Sequence, residues 1–523
     1  MSNASAADTR RPGTAAARRA PTGATAAIAV VALVDLALHL LIAGNYGYFR
    51  DELYYIAAGK HLDFGYVDFP LMTALLAALL RVTVGDSLVA LHVVPALAGA
   101  ALVALTGLIA RALGGGRFAQ GLAALAALVA PTFLGTASIF SMDALDELWW
   151  TLAAYLAVLI LTRARQEPRE PREPREREAP GLWLLIGLVF GVGLLTKLTI
   201  LSFAGALFIG LLLTPNRAVL RTRWPWLAGT VALLGLLPYV GWQIAHGWPT
   251  LEFWRNYARS QAQSTTPVLF LVQQVLTMQP FTLPLWLAGL YYYLVSRSGR
   301  PYRALGWAFV ILYALDTIGH AKFYFLAPAY PMLFAAGALV FERGLRGGRR
   351  WLRPTYAALL VLGGALLAPL VTPTLPPDIP MRAIGGRLPQ PLADRFGWPA
   401  MVATVARVYH RLPPSERAQA CVVGSNYGEA GAVDAFGPAY GLPHAISGHN
   451  TYYLWGPGAC TGAVVIAIGW TPRDLATSYK NVVQAATVTC AECVREEDDL
   501  PVSVGRGLKV PLDAVWRSIR HYN

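Results

Sequence analysis

"NYGYFRDELYYIAAGKHLDFGYVDFPLM" (residues 45–72) decides how this chain is read. It follows an apolar run, residues 25–44, of about the 20 residues a membrane-spanning helix needs. Yet it carries Arg50, Asp51, Glu52, Lys60, Asp63 and Asp68, interleaved with Tyr and Phe. Charges are costly in hydrocarbon, and aromatic rings favour the headgroup level. The stretch therefore belongs at a membrane interface, and its acids need a chemical reason to be there.

The rest of the chain agrees with that setting. Of its 523 residues 55% are hydrophobic and only 14% charged, where soluble domains carry about a quarter charged residues. Apolar runs at 25–44, 88–113, 118–140, 148–163, 181–195, 200–213, 226–245, 283–295, 304–319, 326–341 and 355–371 predict about eleven spans. The net charge of +13 does not imply nucleic acid, because it is distributed as loop charge. With residue 1 inside, the cytoplasmic segments and the span-edge Arg111 hold 23 of the 43 Lys and Arg residues. The opposite loops up to residue 371 hold seven: Arg50, Lys60, Arg81, Lys197, Arg255, Arg259 and Lys322. The positive-inside rule then predicts a cytoplasmic N-terminus and a C-terminal region outside, in the cell (plasma) membrane.

The organisation expected is a disordered cytoplasmic tail (1–24), a membrane domain (25–371) and a small extracytoplasmic α/β domain (372–523). The run "EPREPREPRERE" (167–178) reads as a solvated linker. After residue 372 the composition turns to short β-branched runs, "GAVVIAIGW" and "LPVSVG", between turn residues. All four cysteines, Cys421, Cys460, Cys490 and Cys493, fall in that region, so one or two disulfides in an oxidising space are expected, with the pairing open. "CAEC" lacks the second close pair of a metal site.

The acids gather on the outer side. After Asp51, Glu52, Asp63 and Asp68 come Asp143 and Asp146 in "SIFSMDALDELWW" and Glu252 in "HGWPTLEFWRNYARSQAQ". A pump or channel buries its carboxylates at mid-span. Acids at the outer interface suit a reaction between a lipid-held group and an external acceptor. His320, Lys322 and Tyr324 in "IGHAKFYFLAPAYPML", with Arg255, Arg259 and Lys197, add cations suited to a lipid phosphate. The plain alternative for each cation is a side chain snorkelling at a span end. Asp51 has its own alternative, an N-cap on a helix starting at Glu52, and Asp143 the same on the next span. Asp146 and Glu147 read as interfacial, and Asp35 with His39 as a pair one helical turn apart.

Three stretches carry a resemblance. "YFRDELYYIAAGKHLDFGYVDFPLMTALL" resembles the first outer loop of GT-C glycosyltransferases of the protein-mannosyltransferase and lipid A aminoarabinose-transferase type, glycosyltransferase families 39 and 83. "SMD" and "KFYFLAPAYPML" resemble further signatures of that family, and the likeness spans residues 25–345. The chain departs from it at "DFPL", where many members have two consecutive prolines and often a Lys. The resemblance implies a GT-C α-helical polytopic membrane protein that uses a polyprenyl-phosphate sugar and inverts the anomeric centre. Asp51 matches the catalytic aspartate of the loop. Glu52, Asp68 and Asp143 are left to hold a divalent metal cation, the acceptor or the general base. His320, Lys322, Tyr324 and Arg255 would hold donor phosphate.

The stretch "NYGEAGAVDAFGPAYGLPHAISGHNTYYLWGPG" (426–458) resembles tails of bacterial members. With Asp68, its His449, Asn450, Tyr452 and Trp455 are candidates to bind acceptor or sugar, offering amide hydrogen bonds and flat stacking faces. The acceptor would be an envelope protein, cell-wall polymer or glycolipid. Two other classes compete: a transporter or flippase of lipid-linked sugars, and a membrane-anchored envelope-glycan-binding protein. A transporter should show paired repeats, and "DELYY" does not recur.

Overall fold

The structure is a computed structural model that describes residues 22–165, 179–261 and 266–523. The expected tail lies mostly outside the described residues, as does the 167–178 linker. Each of the eleven apolar runs is helical. By length and hydropathy, five helices among the described residues can each cross a membrane: Leu88–Ala112, Met142–Ala164, Trp224–Ala245, Phe323–Gly344 and Gly347–Leu370. Two further spans arise if the bent pairs Ile200–Leu212 with Pro215–Arg221 and Pro267–Thr277 with Pro280–Leu294 are each counted as one. Shorter apolar helices, Ala26–Ile42, Leu71–Val84, Arg117–Leu128 and Pro180–Thr196, complete the layer. The protein is a multi-pass membrane protein.

Three details differ from the run of hydropathy. Residues 118–140 make two helices, Arg117–Leu128 and Pro131–Thr136, because Pro131 supplies no N–H to continue the first. Leu71–Val84 is a helix where the sequence suggested only connecting chain; at 14 residues it falls short of a span. The span at 283–295 is preceded by Pro267–Thr277, and the two lie 94° apart across a corner where Gln279 has φ 69°. Helices in lipid gain little from hydrophobic transfer and pack through close approach of small residues. Gly289 lies against the backbone of Leu333, and Gly337 against that of Leu285, where a β-carbon would clash.

The C-terminal domain holds one five-stranded sheet: β1 (Ala420–Gly424), β2 (Ala445–Ser447), β3 (Val464–Ile468), β4 (Tyr479–Val488) and β5 (Leu500–Leu508). The order is β2-β1-β3-β5-β4, with β1 parallel to β2 and β3, and β5 antiparallel to β3 and β4. The runs "GAVVIAIGW" and "LPVSVG" supply β3 and β5. Both β1 and β3 are buried along their whole length, as parallel strands covered on two faces are. Disulfides join Cys421 to Cys460 and Cys490 to Cys493, the first tying β1 to the segment before β3.

The core of this domain does not stop at its own residues. Val402, Val405, Ala430, Val433 and Ile466 share one apolar cluster with Leu53, Tyr54, Ile56 and Ala57 of the helix Arg50–Lys60. The loop that opened the sequence is thus half of a joint, and its apolar positions are spent on the C-terminal domain.

Candidate active site

The helix Arg50–Lys60 is fixed by Glu52. The Glu52 carboxylate accepts the Phe49 N–H at 2.8 Å, sits 2.8 Å from His92 Nε2, and accepts the Phe140 N–H at 2.7 Å. Glu52 is 0% exposed. One oxygen meets the first turn of its own helix and the other two different segments, so both carboxylate oxygens have protein partners that tie the loop down. Its chain neighbour Asp51 emerges about 100° further round the helix. The helix starts at Arg50, so Asp51 lies inside the first turn and is not its N-cap.

Asp51 Oδ1 accepts a hydrogen bond from the Tyr427 hydroxyl at 2.7 Å. Burial pushes the Asp51 carboxyl above its ordinary value, against the Tyr427 hydrogen bond and the positive charges of Arg50 and Lys322; Asp143 adds to the push. Asp143 sits in the first turn of Met142–Arg165 and pairs with Lys197, Oδ1 to Nζ 2.5 Å. Lys197 ends Pro180–Thr196 and lies 5.2 Å and 4.7 Å from the ring centres of Tyr324 and Phe325. Lys322 lies 4.9 Å from the Tyr257 ring and 5.8 Å from that of Tyr324. Burial lowers the Lys322 ammonium, Asp51 and Asp143 oppose this, and Lys197 adds to it. The structure therefore gathers Asp51, Asp143, Lys197, Lys322, Tyr324 and Tyr257 under the Tyr427 hydroxyl.

The other candidates fall elsewhere. Asp68 accepts from the Tyr54 hydroxyl at 2.9 Å, and Thr451 Oγ1 lies 2.6 Å from that hydroxyl. Burial raises the Asp68 carboxyl to about 7. Asn450, 1% exposed, is spent on Asp68 and on the backbone of Asn523. His449 packs against Tyr427 at 4.7 Å and His521 at 4.4 Å, and burial lowers it to about 3. The Tyr452 hydroxyl donates to Asp434 at 2.8 Å, and Trp455 stacks on His61 at 4.6 Å. His449, Asn450, Tyr452 and Trp455, read from sequence as candidate sugar contacts, line the joint between the C-terminal domain and the loop. Arg255 is exposed on Pro249–Gln261, and His320 stands two residues before Lys322 with φ 50°. Asp146 accepts from Trp150 and Thr199, Glu147 from Thr136, and His39 Nδ1 lies 3.6 Å from Asp35, so these interior acids have structural partners.

Sequence reasoning missed Tyr427 and Arg50. Arg50 pairs with Asp394 at 2.8 Å and Glu497 at 3.5 Å, both buried in the C-terminal domain. Tyr427 opens the helix Tyr427–Phe436, whose N-terminus is closed by Asn426 and Glu429. Gly428 and Gly431 bring that helix against Arg50 and Leu53, where a β-carbon would meet Arg50 Cγ at 2.5 Å and the Leu53 backbone at 3.0 Å. The signal was present as Asn-x-x-Glu with two glycines one turn apart in "NYGEAG".

Among the described residues no group of three or more His, Cys, Asp or Glu side chains is placed to hold a metal ion. The negative charge of Asp143 is met by Lys197, and Asp68 is hydrogen-bonded to Tyr54 and Asn450 away from that pair. A divalent cation wants several converging oxygens, and this donor set does not fit one.

Comparison with known proteins bears on the whole arrangement. The family model for dolichyl-phosphate-mannose-protein mannosyltransferase matches residues 68–242. A search of curated proteins finds no match. Among solved structures, ArnT from Cupriavidus metallidurans bound to undecaprenyl phosphate superposes with TM-score 0.61 at 15% identity, covering 93% of this chain and 98% of that one. The same enzyme in the apo state gives 0.61 at 16%, covering 96% and 99%. The Archaeoglobus fulgidus oligosaccharyltransferase tethered with an acceptor peptide gives 0.50 at 16%, covering 81% and 64%. At these identities the structures establish a common fold with ArnT, and the matched segment, residues 68–242, adds a sequence likeness to the dolichyl-phosphate-mannose-protein mannosyltransferases.

Proposed function

We propose that this protein transfers a sugar from a polyprenyl-phosphate donor to an acceptor hydroxyl, with inversion, at the cluster of Asp51, Asp143, Lys197 and Lys322. The observation that carries the reading is the meeting of two carboxylates and two lysines at the ends of separate helices, beside Tyr324 and beneath the C-terminal domain. Asp51 takes the proton of the acceptor hydroxyl as its oxygen attacks the anomeric carbon. The bond from that carbon to the phosphate oxygen breaks, and its electron pair leaves with the lipid phosphate. Lys322, flanked by Tyr257 and Tyr324, meets that growing negative charge. Lys197 holds Asp143 in place and adds positive charge. Glu52 anchors the loop. The loop charges support a cytoplasmic N-terminus, with residues 25–371 in the membrane and residues 372–523 on the extracytoplasmic side, where an envelope acceptor is met.

The test uses purified full chain in lipid, a labelled polyprenyl-phosphate sugar and crude envelope acceptor. Release of polyprenyl phosphate should depend on acceptor, and Lys322→Ala should lower turnover as well as affinity, because a cation facing a leaving group stabilises the transition state more than the ground state. Lipid movement with no cleavage of the sugar–phosphate bond would defeat the reading. Transfer at full rate by Lys322→Ala would remove Lys322 from it.

A further inference from the structure

Tyr427 is the one member of the cluster that the C-terminal domain delivers, 376 positions along the chain from Asp51. Its ring stacks on Tyr54 at 4.6 Å and leans on His449 at 4.7 Å. Its helix is pressed onto Arg50 and Leu53 by Gly428 and Gly431, so the hydroxyl has little freedom to turn away. A phenylalanine would fill the same space and keep both ring contacts. What the hydroxyl adds is the hydrogen bond to Asp51 Oδ1 at 2.7 Å.

We propose that Tyr427 is a positioning residue: its hydroxyl fixes the orientation of the Asp51 carboxylate and keeps it ionised, leaving Oδ2 to receive the acceptor's proton. The proposal rests on the reading of Asp51 as the base. Tyr427 keeps its own proton throughout, because burial pushes its hydroxyl well above the ordinary tyrosine value. Burial also drives the Asp51 carboxyl up, and the Tyr427 hydrogen bond opposes it ahead of Arg50 and Lys322. Among the described residues, further groups that interact with Asp51 include Asp143, Tyr55, Asp68, Asp394 and Tyr324. Apart from Arg50 and Lys322 these are acids and tyrosines, so losing the Tyr427 hydroxyl leaves fewer groups favouring the anion. The sign follows: without it Asp51 holds its proton to higher pH, and the base form is lost sooner as pH falls.

The experiment reads Asp51 directly. Full chain in lipid nanodiscs is treated with dicyclohexylcarbodiimide, which modifies protonated carboxyl groups, across a pH series, and peptide mapping gives the fraction of Asp51 modified. In Tyr427→Phe the midpoint should move up by roughly one pH unit, the size of one hydrogen bond to a charged group. Tyr46→Phe removes a hydroxyl that donates to the Leu375 carbonyl in the same joint and should leave the midpoint where it is. The acid limb of sugar transfer should move with Tyr427→Phe by the same interval, with the rate recovering above it. A midpoint shared by Tyr427→Phe and wild type overturns the proposal without touching Asp51's role as base, whereas modification of Asp51 that no pH alters overturns both. A shifted midpoint alongside transfer that ignores pH would uphold the Tyr427 contact and sink the base.

Discussion

Asp51→Asn should lose about 10²–10⁴-fold in sugar transfer, the usual worth of a general base. The substitution keeps the shape of the side chain and a carbonyl oxygen that can accept from Tyr427, so the joint with the C-terminal domain should survive. Donor binding should persist too, because the proposed mechanism assigns the phosphate end to Lys322 and its neighbours. Single-turnover rates and donor binding, measured on the same reconstituted protein, separate the two. Transfer within a few fold of wild type would show that the acceptor's proton goes elsewhere, with Asp143 the next carboxylate to try. Loss of donor binding together with rate would place Asp51 at the donor instead.

The second large effect concerns stability. Arg50→Ala should cost about 3–5 kcal/mol, because it strands Asp394 and Glu497, two carboxylates with side chains only 2% and 6% exposed. Arg50 also packs under Gly428, so the loss should appear first where the helix Tyr427–Phe436 meets the loop. Hydrogen exchange should rise over that helix before it rises in the membrane layer, and the melting transition should fall. Arg50→Lys, which keeps the charge and loses the planar fork, should recover part of the loss. Unchanged melting and exchange in Arg50→Ala would mean that the two acids become neutral at no structural cost.

Much of this was legible in the chain. Apolar runs located the spans because a membrane imposes length and hydropathy on each helix separately. Asp51, Asp143 and Lys322 were legible because charged residues at a membrane interface are scarce and each marks itself. The breaks at Pro131 and Gln279 were less so, since a bend depends on what the freed backbone finds to bond. The structural partners of Glu52 and of the stretch 449–455 were not legible at all. Glu52 looks like half of an acidic pair until His92 and Phe140 are seen to consume it. His449, Asn450, Tyr452 and Trp455 have the composition of a sugar site and the position of a seam. Residue type alone cannot separate the two, because aromatics and amides serve both. Tyr427 escaped for a simpler reason: its partner lies 376 residues away.

That separation sets an order of events in the life of the molecule. Ribosomes add about 5–20 residues per second, so the loop helix waits roughly 20–75 s in the membrane before Tyr427 exists, given 376 intervening positions. Throughout that interval Leu53, Tyr54 and Ile56 have no C-terminal core to join, and Asp51 has no hydroxyl above it. The nascent protein can therefore be inserted across most of its span while the surroundings of Asp51 are still incomplete. Docking of the last domain is the step that closes the joint over Asp51, and a chain cut short of residue 427 would leave the loop helix without that cover.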